Sequence, residues 1–91
     1  MRQPPQTDQP HLILQARIPH VVVIQVQDPT NVHFSFYRHE LERLDAAGIP
    51  LGGFILNNTF PPTKFENFLG ELWVRGEIAG QPDFEFSYAP T

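Results

Sequence analysis

His20, His33 and His39, the serines Ser35 and Ser87, and the carboxylates Glu40 and Glu42 are the side chains here that could do metal, nucleophilic or acid–base chemistry. Their spacing supports none of the three. His39-Glu40 stands where a two-histidine zinc helix would begin, but position 43 is Arg, so the second ligand is missing. His33 shares a strand face with Ser35 and Tyr37, where a solvated or hydrogen-bonded histidine is the expected role. Ser35 and Ser87 lie in alternating segments, not on the sharp strand-to-helix elbow that activates a serine. Glu40 and Glu42 do not face each other on a helix. Gly52-Gly53 leads into a strand, so it makes no phosphate cradle at a helix N-terminus. Asn57-Asn58-Thr59 matches the glycosylation acceptor pattern. No cofactor, metal or catalytic residue is expected. A small barrel enzyme built on His20, His33 or His39 is the weakest alternative.

Trp73 is the residue that asks for a function. Alternation places it with Glu71 and Arg75 on the polar side of its segment, opposite Leu72 and Val74. A tryptophan on a wet face needs a cover, and three fit. The cover is a second layer of the same chain, a protein partner for which Trp and Arg are anchors, or a sugar or base stacked on the indole. Glu71, Glu77 and Glu85 are expected to gather with Arg75 on the outer face of a terminal hairpin, as cross-strand charge pairs. Eight phenylalanines are many for this length, and Phe54, Phe60, Phe65 and Phe68 surround Pro61-Pro62. Phe60, Phe65 and Phe68 join Trp73, Glu71 and Arg75 as candidate interface or ligand-binding residues.

The elements that position these side chains are mostly strands. His11–Ile18 alternates in its second half, Pro19 interrupts it, and the β-branched run Val21–Gln27 predicts a central strand. Asp28-Pro29-Thr30-Asn31 predicts a turn, and Val32, Phe34 and Phe36 predict a strand paired with the one before it. Leu41 and Leu44 change the period, so a short helix is expected over about 39–47, stopped by Gly48, Ile49 and Pro50. Phe54–Leu56 reads as a short strand and Lys64–Leu69 as an irregular or helical turn. Glu71–Ile78 and Phe84–Tyr88 predict a second hairpin across the Ala79–Asp83 loop. About six strands on short connections predict a mainly β fold, a small antiparallel sandwich or barrel with one short helix.

Ninety-one residues make one domain. Residues 1–10, rich in Pro and Gln, read as a flexible arm before a β-rich domain over 11–91. Six basic against ten acidic residues, with Lys64 the sole lysine, disfavour nucleic acid and anionic membranes as partners. No apolar run reaches a membrane span and no signal-peptide pattern opens the chain, so a soluble protein is expected, cytoplasmic or assembled into a particle. Without cysteine there is no disulfide framework to support a thin core, and association is a common remedy. The expected function is therefore a non-catalytic structural or adaptor subunit, for example of a virion or secretion-type particle, that binds itself or another protein. A carbohydrate or small-ligand module using Trp73 is the alternative.

Overall fold

From His11 to Val26 nearly every second residue is apolar and many are β-branched, and the chain extends there as one strand through Pro19. The computed structural model describes residues 9–27, 29–76 and 84–91. Its elements are β1 (His11–Val26), β2 (Val32–Ser35), α1 (Arg38–Glu42), β3 (Phe54–Leu56), β4 (Thr63–Gly76) and β5 (Phe84–Pro90). The strands form one antiparallel sheet in the order β3-β2-β4-β1-β5. The fold is mainly β with one short helix, as composition and alternation led one to expect.

The long β1–β4 ladder is bent by bulges. Ile13 is extra between the pairs Leu12–Trp73 and Leu14–Leu72. Arg17, Ile18 and Pro19 face Leu69 alone, between the pairs Ala16–Gly70 and His20–Phe68. Glu66 and Asn67 face Val21, and Asn67 holds a left-handed φ of 57°. Each insertion adds twist and turns the strand. Phe34 shares a rung with Val74 and His11 at one end of the ladder, and Phe84 pairs with Val26 at the other. A straight strand would hold those rungs about 50 Å apart, yet the two rings touch edge to face at 5.6 Å. The sheet therefore folds over on itself. Leu14, Ala16, Leu72, Val74, Val32 and Phe34 of one half pack with Val22, Ile24, Val26, Phe84 and Phe86 of the other.

Four local expectations are corrected. No hairpin joins β1 to β2, because β4 and β5 already occupy both edges of β1 around Val22–Ile24. β2 lies instead between β3 and β4. β4 and β5 do not pair with each other; both pair with β1. Glu77, Ile78 and the 79–83 loop lie outside the described residues, as do Asp28 and residues 1–8 of the expected arm. Lys64–Leu69 is strand, its helical-looking Phe65/Phe68 spacing produced by the Asn67 bulge. The helix stops at Glu42 rather than Ala47. Leu44 bridges to Pro50 around a tight loop in which Asp45 accepts hydrogen bonds from the Ala47 and Ile49 amides, at 2.8 and 2.9 Å. Gly48 is left-handed, φ 82°, as a stop signal should be, but it closes this hairpin loop rather than a helix.

Candidate interaction surfaces

β2 is buried on both faces, so its polar residues His33 and Ser35 lie under a second layer. That layer is α1. Leu41 is fully buried, and the Ser35 hydroxyl donates to the Glu40 carboxylate. The Ser35 oxygen in turn accepts the Tyr37 amide at 3.1 Å. Arg75, opposite His33 in the ladder, donates from its guanidinium to the Leu41 carbonyl at 3.0 Å. The helix comes this close because Gly52 and Gly53 carry no side chain. A Cβ on Gly53 would stand 2.3 Å from the Phe34 carbonyl oxygen, and one on Gly52 would stand 2.7 Å from Glu40 Cβ.

Trp73 belongs to the same layer. It is half-buried, its Nε1–H donates to Glu71 at 3.0 Å, and the Arg38 guanidinium lies 5.4 Å from the ring centroid. Trp73, Glu71 and Arg75 thus share one face of β4, as alternation places them, and their polar groups are engaged within the chain. The expected gathering of Glu71, Glu77 and Glu85 does not follow, because the hairpin that would have made it is absent. Glu71 stands opposite Gln15 and Glu85 opposite Gln25, in different halves of the folded sheet. Glu77 lies outside the described residues.

Phe65 and Phe68 meet in an aromatic cluster. Phe36, Phe54, Phe65 and Phe68 are linked by ring contacts between 5.7 and 6.3 Å, and Phe54 continues onto the core ring Phe34. Phe68 is buried, Phe54 and Phe65 are half-buried and Phe36 is 40% exposed, so the cluster opens to solvent on one side. Phe60 stands exposed in the turn that begins at Asn57. Asn57, the residue of the acceptor triplet, has its amide tied to Asn31 at 3.0 Å and accepts the Thr59 amide at 2.9 Å.

The histidines are dispersed. His33 is buried beneath α1, His39 lies beside Tyr37, and His20 packs toward Tyr88 with Nδ1 2.7 Å from the Ile18 carbonyl oxygen. Among the described residues, no three His, Asp or Glu side chains gather as metal ligands would. No helix among them is long and apolar enough to cross a membrane.

The sheet's edges distinguish one strand from the rest. β3 has three residues. The outer edge of β1 before Pro19 is broken by the Ile13 bulge. The β4 edge from Thr63 to Leu69 carries the Asn67 bulge and the Lys64–Glu66 ion pair at 3.4 Å. Shortness, bulges and lysines are the devices by which edge strands avoid stray pairing. β5 has none of these before its final proline. It pairs with β1 over seven consecutive residues without a shift, and its one charged residue is Glu85. Among the described residues, no strand lies on its other side. Sequence reasoning missed this edge by assigning Phe84–Tyr88 to a hairpin; the absence of Lys and Arg from the run was the available signal.

The chain matches no family model, and no curated protein or solved structure matches it significantly.

Proposed function

We propose that this chain is a non-catalytic structural or adaptor subunit that works through protein–protein contact in an oligomeric assembly, of the kind found in virions and secretion-type particles. The observation that carries the reading is the β5 edge, regular over seven residues and, among the described residues, with no strand on its outer side, where Tyr88 is 44% exposed. Such an edge offers a row of main-chain donors and acceptors to an incoming strand, and alternate side chains then supply specificity. The half-open Phe36–Phe54–Phe65 cluster adds a second apolar surface suited to a protein rather than a small polar ligand.

Amide hydrogen exchange tests the reading residue by residue. The Thr91 amide donates to the Pro19 carbonyl at 3.0 Å, so by alternation the amides of Glu85, Ser87 and Ala89 face β1. Those of Phe84, Phe86 and Tyr88 face outward. The inward set is expected to be protected at every dilution. Of these, the Tyr88 amide is expected to exchange freely when dilute and to become protected in the assembly. A Tyr88 amide that stays unprotected at all concentrations would refute an edge contact.

A further inference from the structure

We propose that the cavity between α1 and Leu51-Gly52 binds a small zwitterion of the α-amino-acid class. The cavity has a volume of about 260 Å³ and is lined by His39, Glu40, Arg43, Leu51 and Gly52. Drug-sized sites run from about 300 to 1,000 Å³, so this one suits a smaller ligand. Its wall carries both signs of charge. Glu40 and Arg43 stand at the i,i+3 spacing at which a carboxylate and a guanidinium commonly pair. Among the described residues, however, neither Arg43 nor His39 forms an ion pair with Glu40. Two features hold the charges apart. The buried Ser35 hydroxyl donates to the Glu40 carboxylate and ties it toward β2. Arg43 has left the helix, with an extended backbone whose carbonyl accepts the Leu51 amide at 2.9 Å. Arg38, Lys64 and Arg75 are each engaged within the chain, by Glu42 and Trp73, by Glu66 and by the Leu41 carbonyl. Arg43 has no such partner among the described residues.

Opposite charges that line one space without neutralising each other are satisfied by a molecule that carries both. The ligand's carboxylate takes Arg43, whose guanidinium can give two parallel hydrogen bonds, and the His39 ring is a further donor. Its ammonium takes Glu40. A carboxylate accepts at about four positions, of which Ser35 uses one. Leu51, 59% exposed at the rim, offers an apolar contact to the ligand's side chain. A dianion such as phosphate would meet Glu40, and a simple amine would meet Arg43, so each is disfavoured. The site does not involve β5, so it stands or falls separately from the assembly reading.

Titrations of the full chain, followed by the Gly52 and His39 amide resonances, test the site. The probes are L-leucine, isocaproate, which is leucine without its ammonium, and isoamylamine, which is leucine without its carboxylate. Leucine is expected to shift both resonances saturably. Each half-ligand is expected to bind about tenfold more weakly, the low end for one charge-assisted hydrogen bond. Arg43→Gln, at an exposed position, is expected to weaken leucine about tenfold without weakening isoamylamine. Glu40→Gln, whose amide oxygen can still accept from Ser35, is expected to weaken leucine without weakening isocaproate. No shift up to the solubility limit of leucine overturns the site. Isocaproate or isoamylamine binding the unmodified chain as tightly as leucine overturns the zwitterion, whatever the variants do. So does an Arg43→Gln chain that binds leucine as its parent does.

Discussion

Phe34 and Phe84 meet edge to face with ring centroids 5.6 Å apart, although they stand at opposite ends of the β1–β4 ladder. This contact joins the two halves of the folded sheet. Phe34→Leu and Phe84→Leu are each expected to cost about 1–2 kcal/mol, within the ordinary range for core substitutions. The double variant is expected to show a coupling of about 0.5–1.5 kcal/mol, the usual size for an aromatic pair. Urea unfolding of the four proteins measures it. Strict additivity would mean that the halves are not joined here.

The bends themselves can be probed at Asn67, whose left-handed backbone places Phe65 and Phe68 on the same side of β4. Asn67→Gly is expected to be neutral or slightly stabilising, since glycine adopts that φ freely. Asn67→Val is expected to cost about 1–3 kcal/mol, because a β-branched residue is strained there. Equal thermal denaturation of the two variants would argue against the bulge.

Gly53 and Gly48 share a φ of 82° but differ in surroundings. An alanine at Gly48 meets open space, whereas at Gly53 its Cβ meets the Phe34 carbonyl. Gly48→Ala is expected to cost about 1 kcal/mol from backbone strain alone. Gly53→Ala is expected to cost more and to loosen α1, whose Leu41 side chain lies 3.2 Å from the same position. The order of their denaturation midpoints checks this.

Leu41 anchors α1 over β2 and β4, and Trp73 lies at the margin of that layer. Leu41→Ala is expected to destabilise by about 2–5 kcal/mol and to shift Trp73 emission to the red. Arg38→Ala is expected to shift emission with a loss of at most about 1 kcal/mol, since Arg38 is exposed and its pair with Glu42 at 3.8 Å is on the surface. Emission unchanged in both variants would detach Trp73 from the helix layer.

Alternation made the strands legible because period two survives any choice of partner. Leu72 and Val74 face the core, and Glu71, Trp73 and Arg75 face the other way, as the sequence indicates. Pairing was not legible, because it depends on which edges are already occupied. The short Asp28–Asn31 link suggested a hairpin, but β4 and β5 take both edges of the strand before it. Bulges hid in the same way. Phe65 and Phe68 sit at a helical spacing only because Glu66 and Asn67 together oppose Val21. The Gly48-Ile49-Pro50 signal reads as a helix stop, but the left-handed Gly48 closes the loop capped by Asp45 instead, since such a glycine serves either end. A cover over Trp73 from the same chain is one that the sequence allows; its supply by Arg38 of α1 rests on a contact distant in sequence.

Sedimentation velocity of the unmodified chain beside Tyr88→Lys, from low micromolar concentration upward, measures whether the β5 edge drives assembly. Tyr88 is half in solvent and its outward amide bonds nothing in β1, so a lysine there guards the edge and leaves the fold intact. The unmodified chain is expected to sediment above monomer mass, and Tyr88→Lys as a folded monomer with the same far-ultraviolet circular dichroism. An unmodified chain that is monomeric throughout, or a Tyr88→Lys variant that associates as well as its parent, would contradict that expectation.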